Sequence, residues 1–146
     1  MAKLRETARP QRYVLDTSAL IALIEAEDGA DRVRHILARE TVDIPCIAVL
    51  EMHYITQREL GESEADHRYA LLKHTRATIL WSFDEPTLLT AARLKANHRI
   101  SLGDAIVAAF AVRNGATLVH KDPEFESLRD EVRLEALPYK TTKDRA

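Results

Sequence analysis

Tyr13-Val14-Leu15-Asp16-Thr17-Ser18-Ala19-Leu20 is the stretch whose reading decides the fold. Three apolar residues end in one carboxylate, and two hydroxyl residues then open an apolar helical pattern. A short buried strand followed by a helix fits residues 12–16 and what comes after them. In an open parallel sheet, ligands lie in the crevice beyond the carboxyl ends of the strands. An Asp closing such a strand faces that crevice.

Working outward, the same unit recurs. Ala19, Leu20, Leu23 and Ile24 make the first helix apolar on one side, and Asp28-Gly29 interrupts it. Val33, Ile36 and Leu37 mark a second helix. Residues 43–48 read as the second strand, with Pro45 demoting its first half to an edge or an entry. A helix over 49–60 follows, with Met52, Ile55 and Tyr54 turned inward, and Gly61 stops it. Ser63-Glu64-Ala65-Asp66 resembles a capping box for a helix over 64–75. The third strand is placed at 77–83, with Trp81 and Phe83 as core. Asp84 caps a helix with Pro86 in its first turn, running to about Asn97. Ser101 opens another through Arg113, ended by Asn114-Gly115. The fourth strand is 117–119, a short helix spans 123–129, and the fifth strand is 132–137. Strands alternating with helices predict an α/β fold, a parallel sheet of five strands covered by helices on both faces.

The chain of 146 residues is long enough to bury a real core, and no linker divides it, so one domain over 1–146 is expected. Residues 1–11 and 139–146 read as flexible ends. Both ends are basic: the first twelve residues carry four bases and one acid, and the last eight carry three bases and one acid. The body between them is therefore acidic, against a whole-chain charge of −2. It lacks the basic stripe of most nucleic-acid binders. No apolar run approaches the ~20 residues that span a bilayer. The single Cys46 reads as a buried, inert thiol and fits a reducing cytoplasm.

Three more acids stand where a strand hands over to a helix or in a helix's opening turns: Glu51, Asp104 and Asp122. Each alone has an ordinary explanation as a cap or a macrodipole partner. Together with Asp16 they fall on one edge of a parallel sheet. Two carboxylates ~5 Å apart repel by ~3 kcal/mol at an effective dielectric of about 20. Such a group raises its pKa values or binds a cation. All-oxygen ligation suits Mg²⁺ or Mn²⁺, and Zn²⁺ would call for His or Cys. That site fits metal-assisted phosphodiester hydrolysis. Thr17 either supports it or caps the helix. Arg99, Arg113 and Lys121 read as solvated bases, with phosphate contact as the alternative. The absence of a Gly-rich first turn speaks against dinucleotide binding and a P-loop. Ser18 occupies the place where a haloacid-dehalogenase-type phosphatase would need its second acid.

Val14 to Leu20, the isolated Glu51, Ser101-Leu102-Gly103-Asp104-Ala105-Ile106-Val107-Ala108-Ala109 and Leu118-Val119-His120-Lys121-Asp122-Pro123-Glu124-Phe125 together resemble the PIN-domain family. Length and motif order are similar to VapC-type ribonuclease toxins of toxin–antitoxin pairs. The resemblance spans about residues 12–138. It implies a three-layer α/β/α sandwich around a five-stranded parallel sheet and Mg²⁺- or Mn²⁺-dependent endoribonuclease activity. It also implies a homodimer and a cognate antitoxin that occupies the acidic groove. By position, Asp16, Glu51 and Asp104 match the family's three best-defined acids, and Asp122 the fourth, as catalytic and metal-binding residues. An RNA-processing nuclease and a non-catalytic PIN-like binding module are the alternatives. The chain departs from the pattern at His120, where the family usually has Thr or Ser. A hydrogen bond to the metal's surroundings, a contact to RNA and plain exposure are its three readings.

Overall fold

The computed structural model describes residues 11–141. Its sheet is built from β1 (Arg12–Leu15), β2 (Thr41–Pro45), β3 (Thr78–Leu80), β4 (Thr117–His120) and β5 (Leu134–Ala136). The strand order is β3-β2-β1-β4-β5, and every neighbouring pair is parallel. β1 is central. Val14 lies opposite Asp43 on one side and Leu118 on the other. Both faces of a central parallel strand are covered, which is why Val14, Leu15, Leu118 and Val119 read as an unbroken apolar run and are all fully buried.

The connections are helical. α1 (Thr17–Ile24) and α2 (Ala30–Arg39) join β1 to β2, and α3 (Cys46–Leu60) and α4 (Glu62–Lys73) join β2 to β3. α5 (Glu85–Asn97) and α6 (Leu102–Arg113) carry the chain back across the sheet to β4. A 3₁₀ helix, Pro123–Leu128, precedes β5. Right-handed crossovers put the first four helices on one face and the next two on the other, giving the α/β/α sandwich. The direction reverses between β1 and β4, so the switch point lies at their carboxyl ends. α6 can sit close to β1 and β4 because Ala105, Ala108, Ala109 and Ala111 are small and fully buried. No helix among the described residues is long and apolar enough to cross a membrane.

Several local expectations change. β2 begins at Thr41 and ends at Pro45, whose fixed φ of −61° suits the position before the first turn of α3. α3 therefore starts at Cys46. Its thiol is half-buried rather than core, with Sγ 3.5 Å from the Trp81 carbonyl oxygen. α4 starts at Glu62, so Ser63 lies inside the first turn and forms no capping box. Gly61, at φ +94°, ends α3 and begins α4 at once. β3 is an edge strand that stops at Leu80. Trp81 and Phe83 lie beyond it, 61% and 43% exposed, and are not core. Phe83 keeps one packed edge, against the Phe110 ring at 6.1 Å. Tyr54 is also exposed. Tyr139 and Lys140 are anchored rather than loose: the Tyr139 hydroxyl donates to Glu126 at 2.8 Å, and Lys140 pairs with Glu27 at 2.9 Å. The rest of the basic ends, 1–10 and 142–146, lies outside the described residues.

Candidate active site

Asp16 follows β1 and caps α1. One of its oxygens, Oδ2, accepts the Ser18 amide at 3.0 Å and the Ser18 hydroxyl at 2.6 Å. The other, Oδ1, is buried and has no partner. Burial is the main force raising its pKa; the Ser18 hydrogen bonds oppose the rise, and the charge of Asp122 adds to it. The Asp16 amide is itself fixed to the Val119 carbonyl of β4 at 3.0 Å. Thr17 begins α1 as its first helical residue rather than as a cap, and its buried hydroxyl is unpartnered.

Glu51 projects from the second turn of α3. Its Oε1 is buried and also lacks a partner. Desolvation and the charge of Asp16 raise its pKa, while the nearby Thr17 hydroxyl opposes the rise without reaching hydrogen-bond geometry. The carboxyl group lies against Gly103 of α6. A Cβ at that position would stand 2.7 Å from Glu51 Oε1. The helix carries a glycine where the carboxylate needs the room.

Asp104 lies one residue further along α6, in a first turn capped by Ser101, whose hydroxyl accepts the Asp104 amide at 3.1 Å. Its carboxyl is pushed up to about 7, by burial first and then by Asp16, Asp122 and Glu51. Asp122 follows β4 and caps the 3₁₀ helix, its Oδ1 accepting the Glu124 amide at 3.0 Å. One carboxylate oxygen from each of Asp104, Asp122 and Glu124 lies within 4.8 Å of the others.

Asp16, Glu51, Asp104 and Asp122 thus stand together at the carboxyl edge of the sheet, where Asp122 raises the pKa of Asp16 and Asp104, Asp16 that of Glu51 and Asp104, and Glu51 that of Asp104. Among the described residues, no Lys, Arg or His forms an ion pair with any of the four. The donor set is all oxygen, and two of its buried oxygens are orphaned. A buried acceptor without a donor costs about 1–3 kcal/mol or more, so the set is chemically incomplete. Its composition fits a hard divalent cation.

Three residues escape a reading of the sequence. Glu124 carries a signal, an acid two residues after Asp122 at a helix start. Ser18 carries one too, a hydroxyl two residues after Asp16. Gly103 shows its purpose only when α3 is laid beside α6.

Two residues sit differently from their expected places. His120 is fully buried, so neither exposure nor RNA contact applies. Its Nδ1 accepts the Asp122 amide at 3.2 Å, and its ring packs on Phe125 at 5.0 Å. Burial lowers its pKa and keeps it neutral. The side chain of Lys121 is buried rather than solvated, at 5% exposure. Its Nζ donates to the Asp28 carbonyl at 3.0 Å and pairs with Glu27 at 3.4 Å. Arg99 and Arg113 are exposed. A concavity of about 490 Å³ lies elsewhere and is mainly apolar, lined by residues such as Leu50, Tyr69, Trp81, Phe83 and Phe110.

Residues 13–131 match the family model described as PIN domain. No curated protein matches the sequence. Among solved structures, VapBC2 from Rickettsia felis, bound to a DNA fragment from its promoter, aligns at a TM-score of 0.73 and 18% identity, covering 88% of this chain and 100% of that one. VapBC-1 from nontypeable Haemophilus influenzae aligns at 0.68 and 21% identity, covering 86% and 98%. VapC20 from Mycobacterium tuberculosis, described as a sarcin–ricin loop cleaving toxin, aligns at 0.65 and 19% identity, covering 79% and 93%. At these identities the likeness establishes the fold.

Proposed function

The chain belongs to the PIN-domain family, and from that premise we propose that it is a divalent-metal-dependent endoribonuclease, the toxin of a toxin–antitoxin pair. One observation carries the reading: four carboxylates from four separate segments stand together where the sheet switches direction, two with orphaned buried oxygens and, among the described residues, none paired with a cationic side chain. The description of VapC20 as a toxin that cleaves the sarcin–ricin loop supports RNA as the substrate class. The VapBC complexes support a cognate antitoxin as partner. A second copy of the chain, the cytoplasm and a single PIN domain filling the chain complete the proposal.

Asp16 Oδ1, Glu51, Asp104 and Asp122 would hold Mg²⁺ or Mn²⁺. Bound there, the ion supplies Lewis-acid activation of water and neutralises charge developing on the scissile phosphate. The residues' own work is to be ionised and correctly spaced beforehand. Ser18 favours the charged form of Asp16, and Ser101 that of Asp104. Gly103 leaves the space in which the Glu51 carboxyl lies. Burial keeps bulk water from Asp16 Oδ1 and Glu51 Oε1.

The test is purification with any co-expressed neighbour, followed by an RNA cleavage assay with Mg²⁺ or Mn²⁺ and with EDTA. Cleavage that EDTA abolishes and added Mn²⁺ restores is expected. Cleavage indifferent to EDTA contradicts the proposal.

A further inference from the structure

We infer that Ser18 is a positioning residue: its hydroxyl clamps Asp16 to the loop that carries Asp122, leaving Asp16 Oδ1 alone to face a cation. The inference rests on the metal-nuclease reading but concerns a residue outside the four acids.

A serine hydroxyl has one proton to give and lone pairs to receive. Here both capacities are used, by partners that fix the direction of each bond. The Lys121 amide can only donate, and it donates to Ser18 Oγ at 2.8 Å. The Ser18 proton therefore goes to Asp16 Oδ2, at 2.6 Å, a length in the range of hydroxyl bonds to a charged oxygen. Oδ2 also takes the Ser18 amide. The amide alone would cap α1, so the hydroxyl is not needed for the cap. Its addition saturates one oxygen of Asp16 and leaves the other free of protein donors.

The far end of the clamp is rigid. Lys121 is tied through its ammonium group to Asp28 and Glu27, and Glu27 is tied again by Lys140. The next amide, that of Asp122, is held by His120 Nδ1. A single hydroxyl thus couples the turn after β1 to the turn after β4. Partners that orient a ligand in this way are worth about 10- to 100-fold in metal affinity.

The experiment measures Mn²⁺ affinity of the full chain by titration calorimetry for wild type, Ser18→Ala, Ser18→Gly, Ser18→Thr and Asp104→Asn. Amide exchange at Lys121 in the metal-free protein is followed alongside. Ser18→Ala should weaken Mn²⁺ binding about 10- to 100-fold. It should also speed exchange at Lys121, and its loss of RNA cleavage should recover as Mn²⁺ is raised. Ser18→Thr keeps the hydroxyl and should bind as wild type. Ser18→Gly replaces Ser18→Ala if the latter does not fold. Wild-type affinity in a folded variant lacking the hydroxyl overturns the inference, as does equal weakening by Ser18→Thr. If Asp104→Asn weakens binding and Ser18→Ala does not, only the role of Ser18 falls. If wild type itself binds no Mn²⁺, the metal reading falls and takes this inference with it.

Discussion

Two aspartates in adjoining parts of the sheet are almost equally hidden from water. Asp43 of β2 is 2% exposed, and Asp16 at the end of β1 is 3% exposed. Asp43 has what a buried carboxylate needs: the Arg12 guanidinium at 2.7 Å and the Asn114 side-chain amide at 3.4 Å. Asp16 is met by three other acids, and one of its oxygens has no partner. Asp43 lies level with Val14, two residues before Asp16, and its partners come from the other side, since Arg12 begins β1 and Asn114 follows the C-terminus of α6, whereas Asp104 stands at that helix's start. Burial does not separate a structural carboxylate from a candidate ligand. The sign of the surrounding charge does.

The sharpest way to break this contrast is to remove the charge at each place. Asp104→Asn or Asp16→Asn should lower Mn²⁺-dependent RNA cleavage by about 10³-fold or more, on the several kcal/mol that metal-assisted charge stabilisation supplies. The fold should survive, or gain stability from relieved repulsion, in a thermal melt. Undiminished cleavage by either purified variant would remove both residues from the site.

Gly103→Ala tests the space rather than the charge. The added methyl group would meet Glu51 Oε1, so cleavage should fall about tenfold, while the helix gains up to about 1 kcal/mol from alanine's better propensity. Activity and urea denaturation measured on the same preparation should move in opposite directions.

Asp43→Ala supplies the opposite result. It strands the Arg12 guanidinium and should cost about 2 kcal/mol in urea denaturation, less than a fully buried pair because Arg12 is partly exposed. Cleavage per folded molecule should not change.

The smallest effect is on pH. Asp104 is pushed up to about 7, and Asp16 and Glu51 are raised in the same direction. Between the ordinary carboxylate range and pH 7 the folded chain holds more protons than the unfolded one, so stability falls as pH rises through that window. The metal-free protein should melt roughly 3 °C higher at pH 6 than at pH 8. Mn²⁺ should reverse that order, because ionised ligands bind it better. A metal-free melting point that rises from pH 6 to pH 8 would contradict the crowding of these acids.

How much of this was visible in the sequence follows from how local each cause is. β1 and β4 read correctly because Val14-Leu15 and Leu118-Val119 are apolar on both faces, as central parallel strands must be. The acids stood out because each falls beside a strand-to-helix handover or in a helix's opening turns, a local feature. The fate of Trp81 and Phe83 did not stand out, since an apolar residue past the end of an edge strand looks like one inside it. Lys121 found its partners at Glu27 and Asp28, far back in the chain, and no short-range pattern announces that pairing. His120 turned inward for the same kind of reason: its acceptor role depends on the Asp122 amide and on the rings of Phe125 and Tyr139. Glu124 was legible as an acid near a helix start, yet only the tight turn after Asp122 shows its carboxylate beside that of Asp104.

The pairing of β1 with β4 has a consequence for the order of events during synthesis. A growing polypeptide that ends before residue 104 has two of the four acids, and one that ends before residue 122 has three. The first strand has β2 early but must wait for nearly the last strand, β4, before its second neighbour exists. A chain that stops short of β4 and the turn after it therefore has neither the central pairing of the sheet nor the complete set of acids.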